Sequence, residues 1–198
     1  MSKVLYIKAN IKPEGESRTF QVSDYFVEQY KKEHPQDEVI IVDLYKENVD
    51  FLRPEDLGKI FGPKDESSKQ NGVLKYAYQF AEADKYIFAA PMWNLGAPAI
   101  LKAYFDYISV VGITFKYGES GPVGLCEGKK AVHITSRGGV YTGTPIEMDD
   151  RYLRTILGLF GVKDVTTIPV EGVDILGIDV VAKVNEAKEI AKNVASEF

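Results

Sequence analysis

Hydrophobic residues follow two alternating patterns along the chain. Five short runs are almost continuously apolar and rich in β-branched or aromatic residues, which is typical of strands buried on both faces. These runs are Lys3–Lys8, Glu38–Leu44, Lys85–Ala90, Lys129–Ser136 and Asp164–Val170. Apolar residues between the runs recur every three or four positions, which predicts helices. Examples are Val22, Phe26 and Tyr30, then Val73, Ala77 and Phe80, and finally Val180, Val184, Ala187, Ala191 and Val194.

The alternation predicts an α/β fold. Five strands separated by helices imply a parallel sheet with helices on both faces, a three-layer sandwich. Right-handed crossovers leave few topologies, and the flavodoxin-like order 2-1-3-4-5 is the common one for five strands. No repeat or linker interrupts the pattern, so we expect a single domain over residues 1–198, with Tyr45–Lys69 as a surface excursion.

The composition argues against several classes of function. The 198 residues are 45% hydrophobic and carry a net charge of −5 without a basic run, which disfavours nucleic-acid binding. Cys126 is the only cysteine, so we expect an ordinary thiol in a reducing compartment. The N-terminus lacks a signal-peptide pattern and no apolar run is long enough to span a bilayer. We therefore expect a cytoplasmic protein without a membrane partner.

In such folds ligands bind at the carboxyl ends of the strands, and the loop after the first strand has suitable chemistry. It lacks both the dinucleotide fingerprint and the P-loop pattern. It offers Asn10, followed by Ser17, Arg18 and Thr19 at the start of a helix. Free amides, hydroxyls and the positive end of the helix dipole converge there, which suits a phosphate. The alternative is that Ser17 only caps the helix.

The loops after the third and fourth strands offer flat and polar groups. The third-strand loop combines an apolar wall with backbone donors, as sites for small aromatic ligands do. Its candidate residues are Pro91, Met92, Trp93, Asn94 and Leu95. The fourth-strand loop pairs hydrogen-bond donors with glycines that allow close backbone approach. Its candidates are Ser136, Arg137, Gly138 and Gly139. Alternatively, Trp93 is a core anchor and the glycines form only a flexible turn.

The three loops meet at one edge of the predicted sheet. One loop provides a phosphate cradle and two provide planar, polar-edged walls. A monophosphate joined to a flat heterocycle fits all three, and flavin mononucleotide (FMN) is the obvious candidate.

The sequence also resembles a known family, the FMN-dependent NADH-azoreductases, which are related to the NAD(P)H:quinone oxidoreductases. The matching segments span essentially the whole chain: SKVLYIKANI, SDYFVEQY, AAPMWN, LKAYFDYISVVGITFKY, GPVGLCEGKKAVHITSRGG and LGLFGV. The combination of PMWN with SRGG, about forty residues later and with GITFKY between them, is specific.

The resemblance implies a flavodoxin-like homodimer with shared active sites and one tightly but non-covalently bound FMN per subunit. The positions matching the family's phosphate loop are Ser17, Arg18 and Thr19, and Asn10 stands where a serine is usual. The PMWN and SRGG loops would contact the ring system. NADH or NADPH would donate electrons, and an azo compound or quinone would accept two of them in a ping-pong reaction.

No covalent catalyst is expected, because the hard chemistry belongs to the cofactor. Asn94 and Tyr141 are candidate contributors to catalysis. Phe115 and Tyr117 are expected either to reach the flavin pocket of a neighbouring subunit and stack on the substrate or, equally, to pack the dimer interface. We expect no metal site: His133 is a core histidine, and Asp149-Asp150 are capping or surface residues. The alternatives are a flavodoxin-type electron carrier, a general FMN reductase without azo or quinone specificity, and a cofactor-free receiver or binding domain.

Overall fold

A computed structural model describes residues 1–13, 15–47 and 49–198. Five parallel strands form one sheet in the order β2-β1-β3-β6-β7. The strands are β1 Lys3–Lys8, β2 Glu38–Asp43, β3 Lys85–Ala89, β6 Lys130–Ser136 and β7 Asp164–Val170. Two further strands, β4 Phe115–Gly118 and β5 Gly121–Gly124, form a separate antiparallel hairpin. The five-stranded parallel sheet is confirmed, but the order is not simply 2-1-3-4-5, because the two hairpin strands were not predicted and lie between the third and fourth strands of the sheet along the chain.

The described residues contain six α-helices. They are α1 Arg18–Glu33, α2 Leu57–Ile60, α3 Lys75–Glu82, α4 Ala99–Ile108, α5 Met148–Leu159 and α6 Val180–Glu197. The expected surface excursion contains α2 and short 3-10 turns at Pro54–Asp56 and Glu66–Gln70.

Strand side chains alternate between two cores because successive residues point to opposite faces of a sheet. In β1, Leu5 and Ile7 pack with residues of α3, α4 and α5. Val4 and Tyr6 pack on the other face with residues of α1 and α6. Both faces of the sheet are therefore covered, as the continuous apolar runs predicted.

The hydrogen-bond ladder continues past the carboxyl ends of the strands and holds the loops in register. The amide of Ala90 donates to the carbonyl of Ile134 at 3.1 Å, and that of Met92 donates to Ser136 at 3.0 Å. The amide of Arg137 donates to Val170 at 2.9 Å. The loops after β3, β6 and β7 are thus joined to one another through their backbones, which places them at one edge of the sheet.

The hairpin packs tightly against the end of α5 at Gly124. The amide of Cys126 donates to the carbonyl of Phe160 at 2.8 Å, which draws the two backbones together. A Cβ atom on Gly124 would lie 2.2 Å from backbone atoms of Phe160 and Gly161. Neither neighbour can turn away as a side chain could, so this position accepts only glycine.

Substitution of Gly124 by alanine is expected to lower the free energy of unfolding by about 2 kcal/mol, because overpacking forces the backbone to shift. Urea unfolding measures this change. Gly158→Ala is the matched control, since Gly158 lies inside α5 and a Cβ there meets nothing within 4 Å. Alanine is the better helix former, so the control is expected to be neutral or stabilising. Equal destabilisation by both substitutions would contradict the proposed contact.

Candidate functional site

A cleft of about 450 Å³ of empty space opens at the carboxyl edge of the sheet. The loops after β1, β3, β6 and β7 contribute to its walls. The lining residues are Asn10, Lys12, Arg18, Pro91, Met92, Trp93, Ser136, Gly138, Val173 and Asp174. All three loops expected from the sequence therefore meet in one cleft. Lys12, Val173 and Asp174 are lining residues that the sequence analysis did not identify.

The first loop uses its hydroxyl groups for internal contacts. The Ser17 Oγ caps α1 by accepting from the amide of Phe20 at 3.1 Å, and it also accepts from Asn10 Nδ2 at 2.8 Å. Thr19 Oγ1 lies 2.8 Å from Ser136 Oγ, and both Ser17 and Thr19 are fully buried. Ser17 therefore caps the helix. The residues of this loop and helix start that line the cleft are Asn10, Lys12 and Arg18.

Backbone groups at the start of α1 remain suited to an anion. The first amides of a helix have no acceptor within the helix, and they carry the positive end of its dipole. Here those are the amides of Arg18 and Thr19, because the helical pattern begins at Arg18. A phosphate at this end of the cleft would therefore meet helix amides and cationic side chains more than the two hydroxyls.

The second loop closes in a tight turn whose two central residues are left-handed. The amide of Trp93 donates to Gly96 at 2.8 Å, and that of Gly96 donates back to Trp93 at 3.0 Å. Asn94 has a φ of 50° and Leu95 a φ of 70°, the pattern of a type I′ turn. Both residues are exposed, and among the described residues their amides donate to no protein acceptor. The turn presents two free donors beside the partly buried Trp93.

Leucine is an unfavourable residue at this φ, and such strain is found mainly at functional sites. Leu95→Gly is therefore expected to raise the free energy of unfolding by about 0.5–1 kcal/mol, since glycine adopts φ near +70° without steric conflict. Leu176→Gly is the control, because Leu176 is fully exposed and lies outside the positive-φ residues. If thermal unfolding shows the same loss of stability for both variants, the backbone at Leu95 is not strained.

The two glycines of the third loop lie where neighbouring side chains approach the backbone closely. A Cβ on Gly138 would lie 2.6 Å from the Asp174 carboxylate. A Cβ on Gly139 would lie 2.9 Å from the ring of Tyr141, so that ring covers Gly139. Ser136 and Gly138 line the cleft, whereas Gly139 and Tyr141 are not among the lining residues.

Arg137 requires a correction, because its side chain does not face the cleft. The residue is 1% exposed. Its guanidinium contacts Glu147 at 2.7 Å and Asp149 and Glu171 at 3.1 Å each. Neighbouring residues of an extended chain point to opposite sides, so Ser136 and Gly138 face the cleft while Arg137 points into the protein. Its positive charge balances internal carboxylates and is not directed at a ligand.

The acidic pair Asp149-Asp150 also differs from the expectation, since both residues are buried. Asp150 accepts from Thr167 at 2.6 Å and pairs with His133 Nδ1 at 3.0 Å. Burial would raise the pKa of Asp150, but hydrogen bonds from His133 and Thr167 lower it well below its usual value. His133 is 1% exposed, as expected for a core histidine. The described residues contain no group of three or more acidic, histidine or cysteine side chains arranged to hold a metal.

Phe115 and Tyr117, the candidate substrate residues, lie on β4 and away from the cleft. Phe115 is 8% exposed and belongs to the core, which corrects the expectation that its ring stacks on a substrate. Tyr117 is 72% exposed, and its ring meets that of Phe115 with the centroids 5.7 Å apart. Only Tyr117 is therefore free to contact another molecule.

The loop after β7 is the part of the site that sequence reasoning missed. The amides of Gly172 and Asp174 donate to the carbonyls of Gly139 and Gly138 at 3.0 Å each. This pairing brings Val173 and Asp174 to the cleft wall. The rule that ligands bind at the carboxyl ends of strands applies equally to the last strand, so it could have identified this loop.

A parallel α/β sandwich with a phosphate-suited helix end and an aromatic wall at its carboxyl edge defines a nucleotide- or cofactor-binding protein. A family model described as flavodoxin-like fold matches residues 2–194. The chain therefore belongs to this flavodoxin-like family. Within the part of the chain that the structure describes, no helix has the length and apolarity required to cross a bilayer.

Comparisons with one relative and two solved structures show more specific similarities. It is 69% identical, over the full length of both chains, to an FMN-dependent NADH:quinone oxidoreductase of Clostridium perfringens. The structure superimposes on an azoreductase from Bacillus anthracis with a TM-score of 0.89, 36% identity and full coverage of both chains. An FMN-dependent NADH-azoreductase of the same organism, solved in complex with FMN, has a TM-score of 0.88 at 25% identity and covers 100% of this chain and 99% of its own.

Proposed function

We propose that this protein is an FMN-dependent oxidoreductase that transfers two electrons from NADH to quinones and azo compounds. The observation that carries the proposal is the single cleft in which a helix N-terminus with cationic side chains faces an aromatic wall. The names of the full-length relatives and of the structural neighbours support the same reaction.

The cleft residues fit the two ends of FMN. Lys12, Arg18 and the free amides at the start of α1 suit the phosphate, which carries about −1.5 to −2 charges at neutral pH. Met92 and Trp93 offer polarizable and aromatic surface for a flat ring system. Gly138 lines the same cleft, and the space beside its Cα is taken by the Asp174 carboxylate. The free amides of Asn94 and Leu95 are available to the polar edge of a ring.

Bound FMN supplies hydride acceptance from NADH and two-electron delivery to the second substrate. The protein's own contribution is to hold and orient the reactants. Trp93 and Met92 would lie against the ring, and the amides of the strained turn would donate hydrogen bonds to its polar edge. Since one cleft serves both substrates in turn, the second can enter only after the first has left. NADPH is the alternative electron donor.

The assembly that fits this site is a homodimer with shared active sites. The hairpin exposes Tyr117, Val123 and Leu125, and these apolar side chains lie outside their own subunit's cleft. A neighbouring copy would cover them and would let Tyr117 approach the neighbour's substrate. Each chain would be a single FMN-binding domain over residues 1–198 that functions in the cytoplasm. Sedimentation velocity of the wild type and of Tyr117→Ser tests whether the hairpin contributes to a dimer.

Anaerobic reduction of the purified protein tests the reaction itself. Reconstitution with FMN should give a yellow protein whose flavin absorbance is lost on addition of NADH alone and returns on addition of a quinone or an azo dye. Initial rates at varied concentrations of both substrates should give parallel double-reciprocal lines, as expected for ping-pong transfer. A protein that binds FMN but is not bleached by NADH would be an electron carrier instead. A protein that binds no FMN would contradict the proposal altogether.

A further inference from the structure

Asp174 lies where a phosphate-binding cleft would be expected to carry only neutral or positive groups. Among the described residues that line the cleft, it is the single carboxylate. Its amide donates to the carbonyl of Gly138 at 3.0 Å, so its backbone is anchored to the third loop. Its carboxylate accepts from Arg18 Nη1 at 2.8 Å. Asp174 thus joins the loop after β7 to the start of α1.

The ion pair between Arg18 and Asp174 is weak enough for Arg18 to bind another anion instead. It consists of one hydrogen bond, and the side chains of Arg18 and Asp174 are 33% and 70% exposed. Ion pairs with this exposure are weak, because water competes for both groups. A phosphate dianion is a better partner for a guanidinium than a single exposed carboxylate is, since it offers more charge and can accept two parallel bonds.

The charges at this end of the cleft depend on Asp174. Of the described lining residues, Lys12 and Arg18 are positively charged and Asp174 is negatively charged, so Asp174 offsets one of the two positive charges. Asp174 also engages the guanidinium that would otherwise be free to bind the phosphate. Both effects oppose a phosphorylated ligand and leave an unphosphorylated one unaffected.

We propose that Asp174 is a specificity-determining residue that competes with the cofactor's phosphate for Arg18 and thereby limits the preference for FMN over riboflavin. This inference rests on the proposed function, because it assumes that the cleft binds a flavin. Its consequence is that the residue found at position 174 sets how tightly the phosphate is held, whereas the ring-binding residues set the affinity common to both flavins.

Flavin titration of the apoprotein, followed by quenching of flavin fluorescence or by calorimetry, tests the proposal without measuring activity. Asp174→Asn keeps the shape of the side chain and removes its charge. We expect FMN to bind about 3–5-fold tighter, in line with the upper range for an exposed ion pair, and riboflavin affinity to change by less than about twofold. Glu186→Gln is the matched control for net charge, since Glu186 is an exposed α6 residue that pairs with Lys183 outside the cleft. It should change neither affinity.

Arg18→Gln and the double variant identify the cause. If Asp174 acts by competing for Arg18, the gain from Asp174→Asn should be largely lost when Arg18 is absent, which a double-mutant cycle measures. Weaker FMN binding by Asp174→Asn, or equal changes for FMN and riboflavin, would overturn the inference while the proposed function stands. Failure of the wild-type apoprotein to bind either flavin would refute the proposed function, and this inference with it.

Discussion

Arg137→Met is expected to lower the free energy of unfolding by about 3 kcal/mol, because it leaves the buried Asp149 and two partly buried carboxylates without their cation. The guanidinium is in contact with Glu147, Asp149 and Glu171, and its side chain is fully buried. Methionine fills most of the same volume, so little of the loss should come from a cavity. Urea unfolding of the flavin-free protein at neutral pH measures the change.

The pH dependence of this stability loss distinguishes a broken ion-pair network from a packing defect. Burial would raise the pKa of Glu171, but hydrogen bonds from the amides of Tyr141 and Thr142 and from Arg137 lower it below its ordinary value of 4.5. A carboxyl whose pKa is lower in the folded state stabilises the fold above that ordinary value and loses its contribution as the pH falls below it. The deficit of Arg137→Met should therefore be largest at neutral pH and should shrink below about pH 4.5.

Arg53→Met is the matched control, because Arg53 pairs with Asp50 on the surface, where both side chains are more than half exposed. This substitution removes the same type of charge and should shift the unfolding midpoint little. If Arg137→Met unfolds like Arg53→Met, the buried network does not stabilise the protein as inferred here.

The strands that could be predicted are those whose burial leaves a continuous apolar pattern. The boundaries of β1 and β7 agree with the sequence interpretation, and those of the other three sheet strands differ by one residue at one end. The hairpin was missed because its sequence, FKYGESGPVG, is mostly exposed and rich in glycine. Its position is fixed by contacts with α5 that lie far away in the sequence, such as Gly124 with Phe160.

The errors at the site have a common physical origin, which is that a loop's composition does not show where each side chain points. Arg137 stands between two cleft residues, yet alternation along the extended chain directs it to Glu147, Asp149 and Glu171. Those partners lie 10, 12 and 34 positions later in the chain, so only the fold brings them together. Strand periodicity extended by one residue would have predicted the inward orientation of Arg137.

Trp93→Asp is expected to weaken FMN binding by about 100-fold, because it removes a stacking surface and adds a negative charge beside an anionic ligand. The fold should be retained, since both hydrogen bonds that close the turn come from the backbone of Trp93 and Gly96 and the indole is only partly buried. Riboflavin should lose most of the same affinity, since stacking concerns the ring and not the phosphate. Flavin titration of the apoprotein measures both.

Trp93→Phe separates the two causes, because it keeps an aromatic face and adds no charge. We expect its FMN affinity to fall less than about 10-fold, in keeping with the smaller ring. An intact fold with unchanged flavin affinity in Trp93→Asp would mean that the indole is only part of the wall and does not hold the ring. The opposite result, unfolding of both variants, would assign Trp93 to the core, the alternative that the sequence left open.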